Sequence, residues 1–302
     1  MNSLVQPWSV IVSQARRRGE ALVVSATEAL MMKKWRWFLV LALVGLLAAC
    51  GVSTSQAPTP VASPSPTTTD VTLTVSAAAS LNQVFPKVAQ LWEQETGNKV
   101  TVNLGSTAQL AQQIERGAPV DLFMAADKKS IERLEKEGLI LSETKALYGV
   151  GRLTLWQKEG STLELTGVKD LTKPDIKRVA IANPDLAPYG IAAREALQTA
   201  GVWDALQPKL VLGENIRQTQ QYVETGNVEV AIVALANSVN QPGKWVLLPA
   251  ELHKPLEQML AVPKSAPHPE AAKEFAAFIN GEKGRPLMRK YGFVLPGEQP
   301  LS

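Results

Sequence analysis

From Val71 onward, short runs rich in β-branched residues alternate with segments of helical periodicity. "VTLTVSA" and "KVTVNLG" have strand character, and each precedes a segment whose apolar residues recur every three or four positions. Strands that alternate with helices in this way usually build βα units around a largely parallel sheet. This alternation constrains the fold more than any other feature of the chain, and it predicts an α/β architecture.

The composition agrees with a globular protein of one large or two ordinary domains. The chain has 302 residues, a hydrophobic fraction of 45% and a formal net charge of +3, which allows a full core. Several of the basic residues lie in the N-terminal leader, so the small positive excess gives no indication of nucleic-acid binding. Cys50 is the only cysteine, and an intrachain disulfide is therefore excluded.

The leader has the features of a bacterial export signal. "MMKKWRWFLVLALVGLLAAC" begins with basic residues and continues in an apolar run that is shorter than the ~20 residues of a spanning helix. It ends in "LAAC", which resembles a lipobox. We therefore predict that residues 1–49 are removed and that Cys50 carries the lipid. The alternative is a buried core helix that ends in an ordinary cysteine.

Residues 50–70 are rich in Pro, Ser and Thr and show no apolar periodicity. This composition predicts that a disordered tether follows the lipidated Cys50. The first thirty residues do not fit a signal peptide, which normally begins close to its basic segment. We therefore predict that translation starts at Met31 or Met32.

Polar residues follow three of the predicted strands at the point where a helix begins. Ser80 in "SLNQ", Ser106 in "STAQ" and Asn215 in "NIRQ" have the spacing of a capping box. A fourth junction, "APYG", brings Tyr189 to a helix start. Helix N-termini carry unpaired N–H donors and partial positive charge, so several aimed at one point bind an anion without lysine or arginine. By residue type alone, a capping role for the two serines is the commoner one.

Four segments, in order from Val71 to Val294, resemble the periplasmic molybdate-binding proteins of ABC importers: "VSAAASL", "NLGSTAQLAQQIERGAPVDLFMAAD", "NPDLAPYGIAAREAL" and "KYGF". The resemblance implies a two-lobed type II periplasmic-binding fold, each lobe a mixed, mostly parallel sheet flanked by helices. A tetrahedral oxyanion, molybdate or tungstate, would occupy the cleft between the lobes. We expect residues 71–150 and 240–302 in lobe I, and residues 151–239 in lobe II.

The same resemblance implies individual ligand contacts. Ser80 and Ser106 match serines that donate from hydroxyl and backbone N–H, which outweighs the capping interpretation. Tyr189 and Ile216 match positions whose backbone N–H groups reach the anion, with the Ile216 side chain in the core. Many family members have a ligating tyrosine where this chain has Ala234. We therefore predict that the Tyr189 hydroxyl replaces it, the alternative being that this ring only packs.

The resulting functional prediction is a solute-binding lipoprotein, exported and anchored to the outer face of the cytoplasmic membrane or lying in the periplasm. It would capture molybdate or tungstate and deliver it to an ABC permease with its ATPase. The metal would be bound as an oxyanion without side-chain coordination, and we expect no cofactor and no catalytic residue. The alternatives are the same fold binding sulfate, another oxyanion or a small organic anion, or a purely signalling receptor.

An exported hydrolase or metalloenzyme is disfavoured by the residues available. His253 and His268 stand beside prolines in predicted surface loops, without a carboxylate or second histidine at ligand spacing. Asp121 and Asp127 flank a buried-looking strand and are predicted to be turn or cap residues. No Ser/His/Asp arrangement with a local signature occurs.

Overall fold

The computed structural model describes residues 71–298, so the leader, Cys50 and the tether lie outside the described residues. The described part contains two five-stranded sheets with helices packed on them. Its strands are β1 (Thr72–Ala78), β2 (Lys99–Gly105), β3 (Leu122–Ala125), β4 (Ala146–Gly151), β5 (Leu153–Gln157), β6 (Val179–Ala182), β7 (Leu210–Gly213), β8 (Val230–Ala234), β9 (Lys244–Leu247) and β10 (Leu256–Ala261). Its helices are α1 (Phe85–Thr96), α2 (Thr107–Glu115), α3 (Lys128–Lys136), α4 (Pro188–Thr199), α5 (Trp203–Leu206), α6 (Ile216–Glu224), α7 (Leu235–Ser238), α8 (Pro269–Ile279) and α9 (Gly284–Lys290).

The two sheets share one plan. The strand order is β2-β1-β3-β10-β4 in the first sheet and β7-β6-β8-β5-β9 in the second. In each sheet the first three strands pair in parallel and the remaining pairs are antiparallel. The predicted α/β fold with two mixed sheets is therefore confirmed, but the sheets are not mostly parallel as expected, because parallel and antiparallel pairs occur in equal number. By position, β1 corresponds to β6, β2 to β7 and β3 to β8.

The chain crosses between the sheets twice, once at Arg152 between β4 and β5 and again between β9 and β10. The predicted lobe boundary at residue 240 is corrected by β9, which pairs antiparallel with β5 and so belongs to the second sheet. The chain cannot leave the second lobe before Leu247, because this edge strand is bonded there residue by residue.

Three local predictions also differ from the structure. The segment after β1 is a 3₁₀ turn, Ala79–Leu81, and the α-helix begins only at Phe85. Pro86 explains this delay, because proline lacks an N–H and is tolerated only in a helix's first turn. The sequence pattern did not predict β4, because the glycines in this strand weaken the strand signal. The apolar segment "VEVAIVALA" has the pattern of one buried strand, but β8 ends at Ala234 and α7 begins at the next residue.

Helix α1 packs against α8 through aromatic side chains. The ring of Trp92 lies 5.4 Å from Phe275 and 5.3 Å from Phe278, measured between ring centroids. Aromatic pairs at this separation contribute beyond the area that they bury. No helix in the part of the chain that the structure describes has the length and hydropathy needed to cross a membrane.

The two acidic residues that flank β3, Asp121 and Asp127, have hydrogen-bond partners in the structure. Asp121 is 1% exposed and accepts hydrogen bonds from the backbone N–H groups of Thr74 and His268, both at 2.7 Å. It therefore ties the start of α8 to β1. Asp127 caps α3 by accepting from the N–H of Ser130 at 2.7 Å, as predicted for a cap residue.

The prediction for the histidines is correct at one position only. His268 is exposed, whereas His253 is 8% exposed and buried beside the crossover segment. Its Nδ1 lies 2.7 Å from the carbonyl oxygen of Lys254, and burial lowers its pKa from the ordinary histidine value. The loop folds inward at this point, so proline neighbours did not indicate exposure.

Candidate anion-binding site

A small cavity lies where the two lobes meet. Residues from both lobes line it, including all four predicted ligand-binding residues, Ser80, Ser106, Tyr189 and Ile216. These four are only 1–3% exposed. The cavity is small, with about 10 Å³ open to the centre of a water molecule, which is about the space that one water needs.

Ser80 occupies the 3₁₀ turn after β1 and does not cap a helix. The cap positions of this turn and of α1 are Ala78 and Val84, and neither helix start has a side-chain cap. The Ser80 hydroxyl is buried and has no hydrogen-bond partner among the described residues. The capping interpretation of this serine is therefore wrong.

Ser106 does occupy the N-cap position of α2, with an extended backbone at φ −74° and ψ 145°. Even so, its side chain accepts no bond from the helix, and its Oγ is also buried without a partner in the described part of the chain. Leaving a buried hydroxyl unsatisfied costs roughly 1–3 kcal/mol. Two such hydroxyls in one cavity indicate a ligand that supplies the missing acceptor.

The second lobe contributes two helix N-termini. Pro188 is the first residue of α4 and has no N–H, so the first backbone donor of that helix belongs to Tyr189. Helix α4 approaches the end of β6 closely, since a Cβ on Gly190 would lie 2.2 Å from the Ala182 carbonyl oxygen. Glycine is therefore required for "APYG" to bring this N-terminus to the cavity.

Helix α6 begins at Ile216, whose side chain is 3% exposed and packs in the core. The N–H groups of a helix's first turn have no intrahelical acceptor, so the Ile216 amide is a donor at the cavity wall. Asn215 precedes it and is a true cap, because its Oδ1 accepts from the N–H of Gln218 at 3.1 Å. Of the three predicted capping boxes, the one at Asn215 is thus the one whose polar side chain caps a helix.

Tyr189 brings a hydroxyl as well as an amide. Its Oη accepts a hydrogen bond from Gln258 Nε2 at 2.8 Å. Burial raises the pKa of Tyr189 above its ordinary value, and the Gln258 and Ser80 side chains offset only part of that rise. The hydroxyl therefore keeps its proton at neutral pH. Ala234 is fully buried, pairs with Leu153, and is not among the residues that line the cavity.

The cavity's electrostatics come from dipoles alone. None of the described residues that line it carries a charged side chain. Helix N-termini carry about half a positive charge each and stabilise a nearby anion. A fully deprotonated oxyanion fits such donors, whereas an oxyanion that still carries a proton needs an acceptor such as a carboxylate, and no described lining residue has one.

Contacts between the lobes close the cavity on two sides. The backbone N–H of Ala108 donates to the carbonyl oxygen of Leu186 at 3.2 Å. Asn237 Nδ2 donates to Asn82 Oδ1 at 2.8 Å. Each bond joins a residue of the first lobe to one of the second, so the structure corresponds to a closed arrangement around the site.

Two residues at or behind the site were not found from the sequence. Thr107 lines the cavity, and its Oγ1 accepts from the N–H of Ala126 at 3.1 Å. Gln258 supports Tyr189 from β10, where alternation places it on the buried face with Leu256 and Leu260. A glutamine on the apolar face of a strand was the available signal. Within residues 71–298, no group of three or more His, Cys, Asp or Glu is placed to hold a metal ion.

Comparison with known proteins gives a consistent result. The family model described as bacterial extracellular solute-binding protein matches residues 73–294. The molybdate-binding protein ModA of Rhodobacter capsulatus is 34% identical over 221 residues, covering 72% of this chain and 86% of the relative. The solved structure of the periplasmic molybdate-binding protein of Azotobacter vinelandii superposes with a TM-score of 0.71 at 30% identity, covering 74% of this chain and 99% of that one.

A third relative extends further along the chain. The Bacillus subtilis protein YvgL is 28% identical over 268 residues, covering 87% of this chain and 99% of the relative. Its name describes it, provisionally, as an ABC transporter substrate-binding lipoprotein.

Proposed function

The chain belongs to the family of bacterial extracellular solute-binding proteins, and from this premise we propose that it captures molybdate or tungstate outside the membrane and delivers it to an ABC permease. The relatives are solute-binding proteins rather than enzymes, and they include molybdate-binding proteins of the periplasm. Membership of this family implies an exported protein that binds a solute.

One observation carries the choice of ligand. Ser80 and Ser106 place two buried, unpartnered hydroxyls in a cavity without charged side chains, opposite the N-termini of α4 and α6. A tetrahedral dianion accepts hydrogen bonds in several directions at once, so it can satisfy donors from both lobes together. Hydrogen bonds to a charged partner contribute roughly 1.5–3 kcal/mol each, which favours the closed, liganded form.

Tyr189 adds a further donor in this proposal. Tyr189 lines the cavity, and in this proposal both its backbone N–H and its hydroxyl donate to the anion, with the hydroxyl in place of the tyrosine that is absent at Ala234. The support is that the Gln258 hydrogen bond uses only the acceptor side of the Tyr189 hydroxyl. Its proton is therefore available to an oxyanion oxygen.

Calorimetry with four oxyanions tests the proposed ligand. We expect molybdate or tungstate to bind at least about a hundredfold more tightly than sulfate, a difference of about 2.7 kcal/mol. Phosphate should bind weakly, because near neutral pH it retains a proton for which the lining offers no carboxylate. Equal affinity for sulfate, or no heat with either metal oxyanion, would contradict the proposal.

We also propose that Cys50 carries diacylglycerol and that residues 51–70 tether the domain to the membrane. The support is the "LAAC" sequence after an apolar run and the lipoprotein description of the Bacillus subtilis relative. Two or three acyl chains hold a protein firmly on a bilayer, whereas one gives only marginal binding. Such a tether would let the lobes reach a permease and its ATPase.

Membrane fractionation tests the anchor. The Cys50→Ala variant should leave the membrane fraction once its leader has been removed, and the unchanged protein should stay there. A cleaved Cys50→Ala variant that remains membrane-bound would exclude lipid attachment at this residue. Mutation of both Met31 and Met32 should abolish the lipoprotein if translation starts at one of them.

A further inference from the structure

A buried chain of hydrogen bonds runs behind the cavity wall. Gln258 is fully buried on β10, and its Nε2 donates to the Tyr189 hydroxyl at 2.8 Å. Its Oε1 accepts from the Tyr148 hydroxyl at 2.9 Å. Tyr148 and Gln258 belong to strands of the first sheet, whereas Tyr189 belongs to α4 in the second lobe. The chain therefore links a strand of one lobe to a cavity residue of the other.

The orientation of the Gln258 amide decides where the Tyr189 proton points. A tyrosine hydroxyl has one proton to donate and can also accept. With Nε2 toward Tyr189, the glutamine fills the acceptor side of that hydroxyl, and the proton is left for the cavity, which the Ser80 hydroxyl beside Tyr189 also lines. The opposite orientation would offer Oε1 to Tyr189 and would draw the proton away from the cavity.

The Tyr148 hydroxyl makes the observed orientation possible. It lies 2.9 Å from Gln258 Oε1 and 3.0 Å from the carbonyl oxygen of Ala125. Its single proton can go to either oxygen. When it goes to Oε1, at the shorter distance, Nε2 of the same amide is left for Tyr189. Burial raises the pKa of Tyr148 well above its ordinary value, so this hydroxyl keeps the proton that the chain requires.

The backbone at Gly151 leaves space for this chain of hydrogen bonds. A Cβ added to Gly151 would lie 2.2 Å from the Tyr189 hydroxyl oxygen and 2.5 Å from Gln258 Nε2. Any larger residue at this crossover position would push the two groups apart. The register of β10 against β4 also shifts between Gln258 and Met259, and such irregularities re-aim side chains.

We infer that Gln258 is a positioning residue for anion binding: its amide holds the Tyr189 hydroxyl with the proton directed into the cavity. The inference rests on the proposed function, because the anion is the acceptor that the proton would meet. Donation from Gln258 also polarises the Tyr189 O–H group, since linked hydrogen bonds strengthen one another. Gln258 itself does not line the cavity and acts only through Tyr189.

A double-mutant cycle with molybdate as the probe tests this inference on the full chain. The variants are Gln258→Met, which keeps the side-chain volume without the hydrogen bonds, Tyr189→Phe, and the two together. We expect Gln258→Met to weaken binding at least about fivefold in the parent protein and less than about twofold in the Tyr189→Phe background, because coupled residues are non-additive. The matched control is Gln157→Met, at a buried glutamine on β5 that accepts from Ser161 and does not line the cavity.

Gln157→Met should leave affinity within about twofold, whatever it does to the melting temperature. Equal losses from Gln258→Met in both backgrounds, or no loss in either, would overturn the inference. If Gln258→Met does not fold, Gln258→Asn shortens the amide's reach by one methylene and should give the same non-additive pattern. Failure of the parent protein to bind molybdate would instead contradict the proposed function, and the two failures are thus distinguishable.

Discussion

The junctions that follow β2 and β7 occupy the same position in the two sheets but use their polar residues differently. Ser106 lies between β2 and α2 and is the N-cap of α2, but its side chain makes no bond to that helix. Asn215 lies between β7 and α6, and its side chain caps α6. Both residues have an extended backbone before a helix, at φ −74° and ψ 145° for Ser106 and at φ −152° and ψ 174° for Asn215, but only the Asn215 side chain caps its helix. The Asn215 oxygen is committed to its own helix, whereas the Ser106 hydroxyl is still without a partner among the described residues.

The junctions after β1 and β6 repeat the contrast. Ser80 offers a free hydroxyl from a 3₁₀ turn, whereas the second lobe offers the first amide of α4 and a tyrosine hydroxyl held by Gln258. The first lobe thus presents serine hydroxyls, and the second presents helix amides with one positioned hydroxyl. This division predicts that side-chain deletions matter most in the first lobe and backbone deletions most in the second.

The serines should show the largest effect. Ser80→Ala and Ser106→Ala should each weaken molybdate binding by about 1.5–3 kcal/mol, the range for hydrogen bonds to a charged partner, and the double variant should lose more than either. The empty protein should keep its melting temperature, because neither hydroxyl has a partner there. Loss of stability with unchanged affinity would show instead that the serines serve the fold.

A backbone deletion in the second lobe comes next. Ile216→Pro removes the amide donor at the first position of α6, where proline is well tolerated. The preceding Asn215 is already extended at φ −152° and ψ 174°, as proline requires. We expect affinity to fall by about 1.5–3 kcal/mol, measured by calorimetry.

Ile216→Ala is the matched control for that variant. It removes core side-chain atoms but retains the amide, so it should lower the unfolding free energy by about 2–5 kcal/mol and bind molybdate nearly as well as the parent. If the Ile216→Ala and Ile216→Pro variants lose molybdate affinity equally, the side chain rather than the backbone amide is the relevant group.

Tyr189→Phe removes only a hydroxyl. It should lose about 1.5 kcal/mol of binding or somewhat more, which is about tenfold, with little change in the melting temperature of the empty protein. Because burial raises the pKa of this hydroxyl, the loss should stay constant as pH rises from about 7 to about 10, the ordinary tyrosine pKa. A loss that disappears over that range would mean that the hydroxyl ionises as an exposed tyrosine does, and unchanged affinity would leave the second lobe with amides alone.

Asn215→Ala should have the smallest effect on binding. Its carboxamide oxygen already caps α6, so the substitution should cost about 1 kcal/mol of stability and change affinity by less than about twofold. This is the reverse of the result expected for Ser106→Ala. Measuring molybdate affinity and stability for Asn215→Ala and Ser106→Ala together therefore sharpens the contrast. A large loss of affinity in Asn215→Ala would show that the two junctions are used alike.

Much of this arrangement could be anticipated from sequence, for physical reasons that differ between its parts. The alternation of strand and helix patterns predicted the α/β fold. Polar residues at the helix starts predicted which loops meet at the cavity. Sequence could not tell an unpartnered Ser106 from a capping Asn215, because both residue types are good caps and only the folded structure shows which side chain bonds its own helix. Gln258 lies more than forty residues from every predicted site residue, and only the folded sheets bring its amide to Tyr189.

A crystal structure of the molybdate complex tests the division between the lobes most directly. We predict anion oxygens within about 2.7–3.2 Å of the hydroxyls of Ser80 and Ser106 and of the backbone nitrogen of Ile216. The Tyr189 hydroxyl should donate to the anion while it still accepts from Gln258. An anion bound elsewhere, or one held by the Asn215 side chain with the serine hydroxyls turned away, would contradict the account.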